Sequence, residues 1–69
     1  MSVARVTEIS ATSEKGFEDA IQQAISRANK TLRNVESAWV KDMNVSVHDG
    51  NINGYRVNLE VTFILEDTQ

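Results

Sequence analysis

Residues 55–65 read Tyr55-Arg56-Val57-Asn58-Leu59-Glu60-Val61-Thr62-Phe63-Ile64-Leu65. Every odd position is apolar or aromatic, and the even positions are polar until Ile64. A strict period of two puts one side-chain set on each face of a strand, so this segment is a half-buried strand with a fixed core face. Extended back to about Ile52, it is preceded by Asp49-Gly50 and by a second β-rich run from about Val35 to Val47. An Asp-Gly pair between two such runs predicts a hairpin, because both residues tolerate positive φ. With Asp49-Gly50 as a two-residue loop, Val40 faces Leu59 and Ala38 faces Val61. Those four share one side. The other side then collects Val35, Ser37, Trp39, Lys41, Met43, Val45 and Val47 with Arg56, Asn58, Glu60, Thr62 and Ile64.

Upstream, Phe17, Ala20, Ile21, Ala24, Ile25, Ala28 and Leu32 recur at three- and four-residue steps, opposite Glu18, Gln22, Gln23, Ser26, Arg27 and Lys30. This spacing predicts a helix with one buried face, and its alanines let it sit close to a sheet. Ser13 is the expected N-cap, with Glu14 complementing the helix N-terminus and Arg27, Lys30 and Arg33 the C-terminus. Residues from about Val3 to Ser10 read as a first strand. The fold class expected is therefore α+β, in the order β-α-β-β, as one domain spanning residues 1–69, with 66–69 as a flexible tail.

One helix covers one side of a three-stranded sheet, which leaves Trp39, Met43, Val45, Val47 and Ile64 in water on the other. That many apolar groups on one face mark an interaction surface. A 69-residue chain with no cysteine has no disulfide to compensate for its small core. Self-association is the expected remedy. A net charge of −3 argues against a nucleic-acid partner, and no apolar run approaches a membrane span. The start Met1-Ser2-Val3-Ala4-Arg5 has no signal-peptide character, so a cytoplasmic location is expected.

Catalytic chemistry is hard to place. Gly16, Gly50 and Gly54 form neither a dinucleotide fingerprint nor a P-loop, and the single histidine, His48, is expected as a solvated turn residue. Glu14, Glu18 and Asp19 suit a helix N-terminus better than a metal site. Tyr55 falls on the core side with its hydroxyl at an edge. Trp39 has two readings, an interface anchor or a stacking platform for a flat heteroaromatic ligand. Arg56 is either half of an intersubunit ion pair with Glu60 of another copy or a donor to ligand oxygens. Lys41 and Asn58 fit either role. A conventional enzyme is not expected.

The chain resembles the dodecins, small flavin-binding proteins that assemble as hollow dodecamers. The resemblance rests on VTEISATSEKGFEDAIQQAISRANKTLRN (6–34), the turn at Asp49-Gly50 and YRVNLEVTFILED (55–67). It implies a three-stranded antiparallel sheet wrapping the helix, a hollow homo-oligomer, and storage, buffering and photoprotection of a flavin (FMN, riboflavin or FAD). Flavin-binding members place a Trp three residues after the segment seen here as Thr31-Leu32-Arg33-Asn34; that position is Ser37, and the tryptophan comes two residues later on the same strand face, at Trp39. Their flavin-contacting Gln aligns with Arg56. The resemblance thus implies a ligand site of Trp39, Arg56, Ser37, Lys41 and Asn58. A branch with Arg at that position is linked to calcium; Asp42, Asp49 and Glu60 are available oxygen donors, though their spacing fits no EF-hand loop. A structural or calcium-binding assembly is the alternative expectation.

Overall fold

The computed structural model describes residues 3–65; the tail expected at 66–69 lies outside them. The elements are β1 (Val3–Ser13), α1 (Phe17–Thr31), β2 (Val35–His48) and β3 (Asn51–Leu65). They form one antiparallel sheet in the order β1-β3-β2. The expected β-α-β-β architecture is the one observed. The central strand is the one whose alternation is cleanest in the sequence, because one of its faces is covered by the helix and the other is not.

The helix lies over β1 and β3. Ala20 and Ala24 are buried against Val57, Leu59 and Val61, Ala28 is buried further along the helix, and Ile9, Ala11, Phe17, Ile21, Ile25, Val35 and Ala38 close the rim of this core. Small residues on the helix let the larger side chains of β3 fill the seam. Tyr55 meets Phe17 edge-to-face, with ring centroids 5.1 Å apart and planes at 80°.

The helix start differs from expectation. β1 continues to Ser13, which pairs with Tyr55, and Gly16 takes the N-cap position without any side-chain cap bond. Ser13 acts from the strand end instead: its hydroxyl accepts a hydrogen bond from the Lys15 amide at 2.9 Å and donates to Asp19 at 2.6 Å. Asp19 in turn accepts from Gln23. At the far end, Leu32 is the C-cap rather than part of the helix, and its amide donates to the Ala28 carbonyl. Asn34 then turns the chain with φ 60°, a left-handed conformation that Asn tolerates.

The hairpin turn is as expected, with φ 52° at Asp49 and 78° at Gly50. Its register is not uniform. Val40 pairs with Leu59 and Ala38 with Val61, but Glu36 and Lys41 on β2 and Asn53 on β3 are left without partners at three register shifts. Each extra residue is a bulge that changes which side of the sheet the following residues occupy. Met43 therefore pairs with Val57, Val45 with Tyr55 and Val35 with Phe63, all on the helix side. Val47, next after Ser46 in the strand, follows Met43 and Val45 to that side together with its partner Ile52. The expectation that Val35, Met43, Val45 and Val47 share a side with Trp39 is thus corrected. Its cause is the bulge pattern, which an alternation of apolar residues continuing through β2 conceals. Val35 joins the core, whereas Met43, Val45, Val47 and Ile52 stay exposed, because no helix reaches that end of the hairpin.

Candidate functional site

Paired residues of neighbouring antiparallel strands share a side, so the register lays out the sheet face opposite the helix row by row. At one end, Ala4 lies beside Ile64, and Val6 and Ser37 flank Thr62. The next row is Glu8–Glu60–Trp39, then Ser10–Asn58–Asp42, then Thr12–Arg56–Asn44. All five sequence-predicted site residues lie on this face: Trp39, Ser37, Arg56 and Asn58 through their pairings, and Lys41 through its contact across the strand with Glu8.

Trp39 is its most prominent feature, with 72% of its surface exposed. A large aromatic on a face that no element among the described residues covers gives a flat ligand or a partner chain somewhere to stack. The row it stands in begins with two carboxylates, Glu8 and Glu60, directly opposite each other. Like charges in such a pair repel. Lys41 offsets the repulsion: lifted out of the ladder by its bulge, it reaches across β3 to Glu8 at 3.1 Å. The hydrogen bond to Glu8 is the main cause of a raised Lys41 pKa, with the charge of Glu8 adding to it and those of Glu60 and Asp42 contributing less. The ammonium is therefore firmly charged and already engaged.

In the next row the Asn58 amide donates a hydrogen bond to the Asp42 carboxylate, which keeps its charge. Arg56 has only a hydroxyl contact, its Nε donating to Thr12 at 3.4 Å. Among the described residues its guanidinium meets no carboxylate within the chain. Of the oxygen donors considered for calcium, Asp42 and Glu60 share this face, while Asp49 sits in the hairpin turn beside His48 at 3.4 Å. The structure does not bring the three together. Among the described residues, no group of three or more His, Asp or Glu side chains is placed to hold a metal ion within one chain.

Two contributors escaped the sequence reading, Glu8 and Thr12. Both lie at even positions of β1, and aligning β1 antiparallel to β3 would have placed them opposite Glu60 and Arg56. The face can stack a planar ring, hydrogen-bond its polar edge and present one cation to an anion. Among the described residues no helix is long and apolar enough to cross a membrane.

Comparison with known proteins places the chain. Residues 3–66 match the family model described as Dodecin. A dodecin of Thermus thermophilus is 42% identical over 66 residues, covering 96% of each chain. The crystal structure of a variant of the T. thermophilus dodecin superposes with a TM-score of 0.92 at 41% identity, over 99% of this chain and all of that one. The calcium dodecin of Mycobacterium tuberculosis is 32% identical over 69 residues, covering all of this chain and 97% of that one. Its crystal structure, with a calcium-binding site, gives a TM-score of 0.80 at 33% identity, over 99% and 97% of the two chains. With a family match across nearly its whole length and the fold to go with it, the chain belongs to the dodecin family.

Proposed function

We propose that this protein binds flavin and stores it in a photochemically quiet form, within a homododecameric shell whose subunit interfaces stack the isoalloxazine ring on Trp39. The observation that carries the reading is the exposure of Trp39 on a sheet face that none of the described residues covers. Stacking a flat ring on indole is worth on the order of 1–3 kcal/mol, by analogy with nucleic-acid bases on aromatic platforms. Closed symmetry in a homo-oligomer sets identical platforms opposite one another, so rings can be held in pairs. Contact between indole and an electron-accepting ring dissipates excitation rapidly, which suits storage and photoprotection. Ser37 and Asn58 flank the tryptophan as hydrogen-bonding groups, Lys41 holds the neighbouring carboxylates in balance, and Arg56 stands where flavin-binding members carry Gln. Family membership supports the flavin ligand and the dodecameric shell. The activity is binding, not catalysis.

A second reading is a structural or calcium-binding assembly. It is supported by the relationship to calcium dodecin and by Asp42 and Glu60 sharing the outer face. Titrating riboflavin and FMN with purified protein, followed by flavin fluorescence, separates the two. The first reading expects emission to fall to a saturating plateau. Undiminished emission, together with calorimetric heat on adding calcium, supports the second and overturns the first.

A further inference from the structure

We propose that Asn53 is a deamidation site of this chain, latched in the folded hairpin by the hydroxyl of Ser46. Asn53 precedes Gly54, whereas Asn29, Asn34, Asn44, Asn51 and Asn58 precede Lys30, Val35, Val45, Ile52 and Leu59. Deamidation begins when the backbone nitrogen of the next residue attacks the side-chain carbonyl carbon, and a side chain on that residue obstructs the approach. Glycine brings no obstruction and the widest backbone freedom.

The chemistry needs only the chain and water. The Gly54 nitrogen gives its proton to hydroxide and bonds to Cγ of Asn53. The bond from Cγ to Nδ2 breaks, and ammonia leaves with a proton taken from water. A water molecule then opens the five-membered imide at either carbonyl, giving aspartate or isoaspartate. One water enters, one ammonia departs, and nothing is oxidised or reduced. Isoaspartate routes the main chain through the side-chain carbons and so lengthens β3 between Ile52 and Gly54.

The fold both exposes this site and restrains it. Asn53 is exposed and has no partner at the register shift between Ser46 and Val47, while Gly54 pairs with Ser46. Val47 and Ile52 are exposed as well, so little packing holds this end of the hairpin closed. The restraint comes from Ser46, whose hydroxyl donates to Asn53 Oδ1 at 2.9 Å. Its oxygen lies so close over Gly54 that a Cβ there would stand 2.6 Å away. The glycine that makes Asn53 labile thus also gives Ser46 the room to hold it. In an extended strand the following nitrogen is turned away from the side chain, so the ring closes only after rotation about the Asn53 Cα–C bond. That rotation gives up the Ser46 hydrogen bond and opens the hairpin end.

The test is mass spectrometric peptide mapping of the assembled protein aged in mildly alkaline buffer, beside a portion kept unfolded in guanidinium chloride. Replacement of NH2 by OH is followed at each asparagine. In guanidinium Asn53 should convert first, and at one rate in the parent, S46A and S46T. In the assembly the parent should convert more slowly than when unfolded. S46A should convert about two- to tenfold faster than the parent, the factor set by one hydrogen bond. S46T keeps the hydroxyl and should stay with the parent. Should S46A fail to assemble, S46C, whose thiol is a weak donor, takes its place with the same expectation. Another asparagine converting first in guanidinium overturns the proposal, as does an assembled parent that ages as fast as the unfolded chain. So does a hydroxyl-free variant indistinguishable from the parent in the assembly, or S46T as fast as that variant.

Discussion

Ser13 shows how one side chain can be read correctly in kind and wrongly in place. A hydroxyl near the helix start was legible; its seat at the end of β1, three residues before the N-cap, was not, because strand pairing with Tyr55 extends β1 beyond its β-branched stretch. Ser13 is nearly fully buried, at 4% exposure, and joins Lys15 to Asp19 through one oxygen. Replacing it with alanine removes both bonds and should cost about 1 kcal/mol, the scale of a lost cap. The same hydroxyl is the main cause of a lowered Asp19 pKa, with Gln23 second. A carboxylate whose pKa is depressed on folding adds stability above its ordinary range near pH 4, and that contribution disappears as pH falls through the folded value. Thermal unfolding at pH 7 and pH 3 should therefore show a smaller acid-induced loss in S13A than in the parent. Equal losses would mean that Ser13 does not hold Asp19 ionised.

At the scale of elements, α1 and the stretch of β3 from Tyr55 onward were legible because their periods run unbroken, whereas β2 was legible only as a strand. Its apolar residues at 35, 39, 43, 45 and 47 all have one parity, yet the bulges at Glu36 and Lys41 put Trp39 on one side of the sheet and the other four on the opposite side. Parity alone cannot reveal a bulge; the partner strand's register does. Lys41 owes its reach to Glu8 to that bulge, which explains why the pair could not be foreseen from the hairpin. Ala24, 2% exposed, packs among Val57, Leu59 and Val61. A24L should overpack this seam and lower stability by about 1–3 kcal/mol. A rise in denaturant midpoint would mean that the seam has room the packing does not show.

Taken whole, the chain is open for its length. It extends 57 × 19 × 13 Å, and its radius of gyration of 14.4 Å exceeds the about 11 Å of a compact domain of this length. Its accessible surface of 5264 Å² likewise exceeds the about 4300 Å² usual for a monomer of 7.7 kDa. The excess sits on both sides of the hairpin: Trp39 and Val6 on one, Val40, Met43, Val45, Val47 and Ile52 on the other. V47D is therefore diagnostic. In a lone chain the residue is 61% exposed and the change should stay within about 0.5 kcal/mol. In an assembly it should bury an unpaired carboxylate and drive dissociation, visible by sedimentation. An unchanged sedimentation profile would place Val47 outside any interface. The platform itself is tested most directly by W39A, with flavin affinity from fluorescence titration and particle mass from sedimentation measured on the same preparation. The particle is expected to stay assembled and to hold flavin about tenfold or more weakly, the free-energy scale of one aromatic stack. An intact particle with unchanged affinity, or one that falls apart, would contradict Trp39 as the surface on which the ring is held.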